Sequence, residues 1–298
     1  MTTLRACTFA AVGALAIGAA GPASAADMPV GDPASQDPAA RGAYVFAAAG
    51  CLGCHTDEKN KGAPLTGARA LETPFGVFYT PNITPDPQYG VGKWTEADFF
   101  RAVREGVGPG DKSLFPAFPF TSYARMTDGD IKDLFAYLMA QAPVDRPNRP
   151  HELSAPYGWR FLLPGWRFMF HIVDKPVPDN PSKSAEWNRG RYIVDALAHC
   201  GECHTERGPL GAMDQARYLS GNPKGPEGDA VPALTRRAKN FSQWSAGDVE
   251  TYLEIGMDPE GDFAGGAMAE VIRNSTSKLT KIDRRAIAIY LKDLPGGR

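Results

Sequence analysis

The 298-residue sequence has almost no net charge: 32 Lys and Arg stand against 34 Asp and Glu, a formal −2. A chain without a basic field has nothing to draw in a polyanion, so nucleic acid is excluded as a partner. Beyond the first 25 residues no run is apolar enough to cross a bilayer, which excludes a polytopic membrane protein. Collagen and coiled-coil periods are absent, and so is sustained two-residue alternation; strands should be few. What is plentiful instead is Gly (32) and Pro (26). With 43% hydrophobic and 22% charged residues, the chain reads as soluble, loop-rich and long enough for two domains.

Cysteine is scarce, at five, and its placement is informative. One charge, Arg5, precedes an apolar run from Ala10 to Ala20, followed by Ala23-Ser24-Ala25 as an A-x-A cleavage site. Residues 1–25 are therefore expected to be an export signal. The run is short for a membrane span of ~20 residues, and Gly21-Pro22 interrupts it. Cys7 leaves with the signal. The mature chain is expected to be soluble and exported, in a bacterium to the periplasm.

The four remaining cysteines form two copies of one motif, Cys51-Leu52-Gly53-Cys54-His55 and Cys200-Gly201-Glu202-Cys203-His204. An exported chain with four cysteines ordinarily suggests disulfides, and a lone C-x-x-C suggests a redox or zinc site. Here each pair carries a trailing histidine, the C-x-x-C-H signature of c-type haem attachment. Two thiols three positions apart on one helical turn reach both vinyl groups of a porphyrin edge, and the next side chain falls beneath the iron. Two covalently bound haem c groups are thus expected, held by Cys51, Cys54, Cys200 and Cys203, with His55 and His204 as proximal ligands.

The flanking sequence repeats with the motif. Arg41-Gly42-Ala43-Tyr44 corresponds to Arg189-Gly190-Arg191-Tyr192, Pro81-Asn82-Ile83-Thr84 to Pro232-Ala233-Leu234-Thr235, and Trp94-Thr95-Glu96-Ala97-Asp98 to Trp244-Ser245-Ala246-Gly247-Asp248. Thr95/Asp98 and Ser245/Asp248 resemble capping boxes, and Thr127/Asp130 and Thr280/Asp283 open the last helix of each half in the same way. Apolar stripes at Ile131, Leu134, Phe135, Leu138, Met139 and at Ile282, Ala286, Ile289, Tyr290 mark those last helices. Gly42 and Gly190 should let the first helix cross the last closely, near Tyr137 and Tyr290. The expected architecture is mostly α: two tandem class I cytochrome c-like domains, 26–145 and 184–298, joined by an aromatic and Pro-rich strap, 146–183, that packs across both.

The residue opposite each histidine decides the chemistry. For the second site Met268, in a glycine-flanked loop 64 residues after His204, is the expected ligand, with Met257 and Met213 as alternatives. For the first, the position equivalent to Met268 is Phe118, which cannot ligate iron; Met126, just ahead of a helix cap, is the expected substitute. Met139 reads as core, and His151 and His171 in the strap are other candidates. Trp94 and Trp244 are candidate indole donors to haem propionates, or core aromatics; Arg69, Arg101 and Arg236 are weaker candidates for the same role.

Taken with Thr73-Pro74-Phe75-Gly76, Thr80-Pro81-Asn82-Ile83-Thr84-Pro85-Asp86, Tyr123-Ala124-Arg125, Pro164-Gly165-Trp166 and Gly266-Ala267-Met268-Ala269-Glu270-Val271, the chain resembles the cytochrome c subunits of periplasmic bacterial dehydrogenases acting on alcohol, gluconate, sorbitol and aldehyde. The resemblance covers nearly all of the mature sequence. Many such subunits carry a third haem module and a C-terminal membrane-binding helix, and the chain is expected to lack both. Family members often have Met where Phe118 stands; related versions with Pro-Ala-Phe-Pro place the ligand a few residues later, which supports Met126. The resemblance implies electron transfer from a periplasmic dehydrogenase of quinoprotein, flavoprotein or molybdenum type to a downstream cytochrome or oxidase. The alternative is a dihaem enzyme with one open or displaceable site, acting on peroxide or an oxidised sulfur compound.

Overall fold

A computed structural model describes residue 28 and residues 30–171, 176–225, 228–236 and 238–295. The expected signal peptide and Cys7 lie outside the described residues. Helices dominate. Part of the chain forms α1 (Pro38–Ala48), α2 (Cys51–His55), α3 (Glu96–Glu105), α4 (Phe120–Tyr123) and α5 (Asp128–Met139). After α6 (Leu163–Phe170), the pattern returns as α7 (Ala185–Tyr192), α8 (Gly201–His204), α9 (Ala246–Ile255), α10 (Gly266–Asn274) and α11 (Lys281–Asp293). Strands are short: a hairpin of β1 (Ala70–Thr73) and β2 (Gly76–Tyr79), and a two-residue pair, β3 (Val107–Gly108) with β4 (Lys112–Ser113). β5 (Glu152–Leu153) adds to the free edge of β2.

Each half is built on a crossing of its first and last long helices. A Cβ at Gly42 would lie 1.9 Å from the Asp133 carbonyl oxygen, and one at Gly190 equally 1.9 Å from that of Ala286. Only hydrogen fits, so the two glycines set the separation of α1 from α5 and of α7 from α11. Tyr137 and Tyr290 are the next contacts, as their spacing in the sequence predicts. The apolar stripes hold only in part. Met139 and Ile282 face solvent, contrary to the periodicity, whereas Asp283 is buried on α11. The reason is an ion pair: Arg189 on α7 holds Asp283 through Nε at 2.9 Å and Nη2 at 2.7 Å.

The helix caps show how the halves meet. Thr95 with Asp98 and Ser245 with Asp248 close reciprocal capping boxes. Thr127 and Thr280 also accept from the backbone three residues on, but their boxes are completed from the other half. The cap N–H of Thr280 donates to the hydroxyl of Tyr44 at 3.0 Å, and that hydroxyl donates to Asp283 at 2.6 Å. Reciprocally, Thr127 N–H donates to Tyr192, whose hydroxyl donates to Asp130. A phenol from α1 is inserted into the cap of α11, and one from α7 into the cap of α5. This relation is a pseudo-twofold one, and the buried core runs through both halves as one continuous cluster.

The segment after α5 lies mainly on the first half. Asn148 bonds Asn82 and Tyr89, Arg160 donates to the Ser113 carbonyl, Arg167 to that of Gly106, and His171 Nε2 lies 3.0 Å from that of Arg104. The same segment also reaches the second half: Trp166 Nε1 donates to the Leu210 carbonyl at 2.8 Å, Asn180 N–H to Asn188 at 2.7 Å, and Lys183 Nζ to Asp293 at 2.6 Å.

Candidate functional site

Both C-x-x-C-H segments fold as single helical turns entered through a left-handed residue. Gly50 (φ 62°) precedes Cys51, and a histidine, His199 (φ 41°), precedes Cys200. A side chain in that conformation is strained unless it is held. His199 Nε2 lies 3.3 Å from the Ala49 carbonyl, and its ring meets Tyr123 edge-on at 5.3 Å.

After each turn the chain repeats one set of bonds. His55 Nδ1 lies 2.8 Å from the Pro81 carbonyl, and His204 Nδ1 lies 2.7 Å from that of Pro232. A carbonyl oxygen only accepts, so Nδ1 carries the proton and Nε2 keeps its lone pair. Gly67 and Gly221 donate to the His55 and His204 carbonyls, each at 2.8 Å. Leu65 and Leu219 donate to the hydroxyls of Thr56 and Thr205, and Ile83 and Leu234 donate back to those leucines. Leu65 (φ 65°) and Leu219 (φ 56°) are left-handed and fully enclosed, a matched strain at the loop that turns back over the histidine. The aligned prolines were visible in the sequence, but their role as the histidines' acceptors was not; the paired leucines were missed altogether.

The chemistry of the donors follows. Cys51, Cys54, Cys200 and Cys203 are unpaired, so the motif is not spent on disulfides. Burial pushes the Cys51 and Cys200 thiols up to about 12, and that of Cys203 up to about 11. Burial lowers both His55 and His204, which the proline carbonyls oppose. Each site therefore offers two neutral thiols and a neutral imidazole with one free lone pair. Among the described residues no three of His, Cys, Asp and Glu converge as a metal cluster. The set fits a porphyrin attached at its edge and ligated from one side.

Residues 39–142 match the family Cytochrome c. Over 261 residues the chain is 44% identical to a diheme cytochrome c-type of Cereibacter sphaeroides, covering 86% of each. The chain belongs to the c-type cytochromes. This cytochrome is also 40% identical over 257 residues to a nicotinate dehydrogenase subunit of Pseudomonas putida, and 39% identical over 257 residues to the fructose dehydrogenase cytochrome subunit of Gluconobacter japonicus. Either alignment covers 86% of this chain, but only 21% of the first relative and 52% of the second. The cytochrome thus spans about a fifth of the length of one of these subunits and half of the other.

The remaining expected residues divide. Met268 sits in the first turn of α10, behind Gly265 and Gly266, half-buried against the core. Trp94 and Trp244 are half-buried, each just before a capping box, and Trp244 packs on Tyr252 at 5.0 Å. Among the described residues neither indole N–H has a hydrogen-bond partner. Arg69 pairs across the halves with Glu270 and also donates to the Gly53 carbonyl; Arg101 pairs with Asp111, and Arg236 reaches the Lys292 carbonyl.

Met126 is different from all of these, being completely enclosed. It stands one residue before the Thr127 cap, where the second half has the equally enclosed Leu279 before Thr280. The carbonyls of both take a guanidinium: Arg104 donates to Met126, and Arg284 to Leu279. Met126 is thereby the counterpart of a core leucine rather than of Met268. His151 and His171 are engaged as well, His151 accepting from Tyr79 N–H at 3.1 Å.

Proposed function

We propose that the protein is a periplasmic dihaem cytochrome c that takes electrons from a dehydrogenase and passes them to a downstream cytochrome or oxidase. The observation that carries this reading is the duplicated histidine–proline carbonyl bond beside four unpaired thiols. Haem c supplies the one-electron chemistry when bound. Cys51 and Cys54 would hold one group and Cys200 and Cys203 the other, with the Nε2 atoms of His55 and His204 facing the irons. The Pro81 and Pro232 carbonyls fix ring orientation and tautomer, which makes each imidazole a better donor.

Met268 is the proposed distal ligand of the second site, its soft sulfur favouring the reduced state. For the first site the burial of Met126 and its equivalence to Leu279 argue against the role expected from the sequence. Trp94 and Trp244, with unpartnered N–H groups, are the proposed donors to haem carboxylates. Two domains, 26–145 and 184–298, are supported by the repeated elements. The strap, 146–183, is supported as a tie across both domains: Arg160 and Arg167 bond the first, and Trp166, Asn180 and Lys183 bond the second.

The experiment is a haem count on the denatured, exported protein, with intact mass. Two equivalents retained after denaturation support the proposal; one equivalent, or colourless protein, overturns it. The first site also bears on the second reading, a dihaem enzyme with an open position, which the sequestered Met126 favours. Rapid cyanide binding to a high-spin ferric iron would select that reading; two low-spin irons would select the carrier.

A further inference from the structure

A docking surface is built into the segment around α6. Phe168 is 90% exposed, Phe161 73%, Met169 58% and Trp159 51%, with Leu162 and Phe170 exposed beside them. Six large apolar side chains within twelve residues, all open to solvent, are far from the usual scatter of single exposed hydrophobes. Their backbone is firmly held. Leu163 is buried against Phe78 and Phe115, Trp166 meets Phe120 edge-on at 6.1 Å, and the indole bond to Leu210 ties the helix down. Trp159 and Phe161 stack at 5.7 Å between ring centroids. A surface ordered in advance loses little conformational freedom when something binds it.

The charges of this segment point the other way. Arg160 lies over the Phe115 ring and donates to the Ser113 carbonyl at 2.7 Å, and Arg167 donates to Gly106. No acidic residue occurs between Leu153 and Phe170. An anionic lipid surface is held by outward-facing Lys and Arg, which this patch lacks. The exposed side chains offer on the order of 700 Å², close to the ~800 Å² that one partner contributes to a standard protein interface.

We propose that the exposed face of residues 157–170 docks the substrate-oxidising subunit of a dehydrogenase, which meets it with an apolar, uncharged patch of its own. This rests on the electron-transfer reading above. The segment is braced on the 104–120 stretch of the first half and tied to Leu210 of the second, so the partner arrives where the two halves adjoin.

The test starts from the holo-cytochrome carrying a benzoylphenyl photoprobe in place of Phe168, irradiated in the cells that make it. Mass spectrometry is expected to identify the conjugate as a flavin-, quinone- or molybdenum-dependent catalytic subunit. With that subunit purified and supplied with its substrate, haem reduction is expected to slow at least tenfold in the Phe161→Ser, Phe168→Ser, Met169→Ser variant. The variant's spectrum and melting temperature should be unchanged, since the three side chains are turned to solvent. Added salt should alter the wild-type rate less than about twofold, as expected for an uncharged contact. A conjugate with a second copy of this chain, flotation with phosphatidylglycerol vesicles, or an undiminished rate in the triple variant would overturn the docking proposal. Wild-type haem that stays oxidised beside the turning-over subunit would instead overturn the electron-transfer reading.

Discussion

The two halves of this cytochrome share a frame and differ in what they pack into it. Both have a glycine at the helix crossing, a tyrosine sent into the other half's cap, and a histidine held by a proline carbonyl. Between the long helices the solutions diverge. In the first half Arg104 on α3 pairs with Asp128 on α5; in the second, Glu254 on α9 pairs with Arg284 on α11. The charges are exchanged and the bridge persists. The first half fills its long loop with a hairpin extended by β5, where the second has only isolated bridges among the described residues. What both halves keep is whatever fixes the backbone around the motif. What varies is what lies beyond it, and Met268, with only Phe118 at the matching place, belongs to that variable part.

Substitutions at matched positions test how far the shared frame extends. The largest effect is expected from Gly42→Ala and Gly190→Ala, each forcing a methyl onto a backbone carbonyl. Denaturant unfolding should show a loss of about 3 kcal/mol in either half. A loss in one half alone would mean that the crossings are not equivalent.

Next come Tyr44→Phe and Tyr192→Phe. Each leaves a cap N–H and an aspartate without the bridging hydroxyl, at a cost of about 1–2 kcal/mol. Burial and the adjoining carboxylates hold both phenols protonated; Tyr44 is pushed up to about 12, and Tyr192 is raised too. The double variant should differ from the sum of the singles by more than ~0.5 kcal/mol, because both bonds close one interface. Strict additivity would show the two locks to be independent.

Met126→Leu and Met268→Leu separate the distal positions. Met126→Leu makes the first half like the second and should cost less than about 1.5 kcal/mol with no change in the ferric spectrum. Met268→Leu is expected to lower one haem potential and abolish the sulfur-to-iron charge-transfer band. The reverse pattern would restore Met126 as a ligand.

The smallest effect concerns pH. Burial opposes ionisation of Asp283, but the Arg189 guanidinium and the Tyr44 hydroxyl outweigh it and hold the carboxyl below its ordinary range. A carboxyl depressed by folding contributes fully above its unfolded value, about 3.9, and its contribution fades as pH falls through the folded one. Asp195, beneath the Tyr218 and Tyr290 hydroxyls, is raised by its burial, so its share runs oppositely: stability declines as pH rises past the unfolded value. Asp283→Asn should flatten the acid limb of a stability–pH curve measured between about pH 2 and 5, and Asp195→Asn should steepen it.

Much of the site was legible because its signals are local. C-x-x-C-H needs one helical turn, and a Thr-x-x-Asp cap needs four residues, so composition and spacing reveal them without a fold. The glycine crossings were legible too, since each glycine recurs at the same distance from a motif. Ile282 was misread because periodicity counts apolar residues and cannot see an Arg189–Asp283 pair drawing a carboxylate inward, and Met139 because it is the last residue of α5, where the helix leaves the core. Met126 could not be told from core filling by sequence alone: a methionine near the right count looks the same whether its sulfur faces an iron or fills the place of Leu279.

Where thiols and histidines pair into attachment motifs, which residues start the helices and that the chain is a duplication could all be read from the order of residues, because covalent reach and capping act over a few positions. Which phenol closes which cap, which carbonyl orients each imidazole and which aromatics stay in water were settled by folding. Those outcomes depend on groups up to 239 residues apart meeting in space, as Tyr44 and Asp283 do.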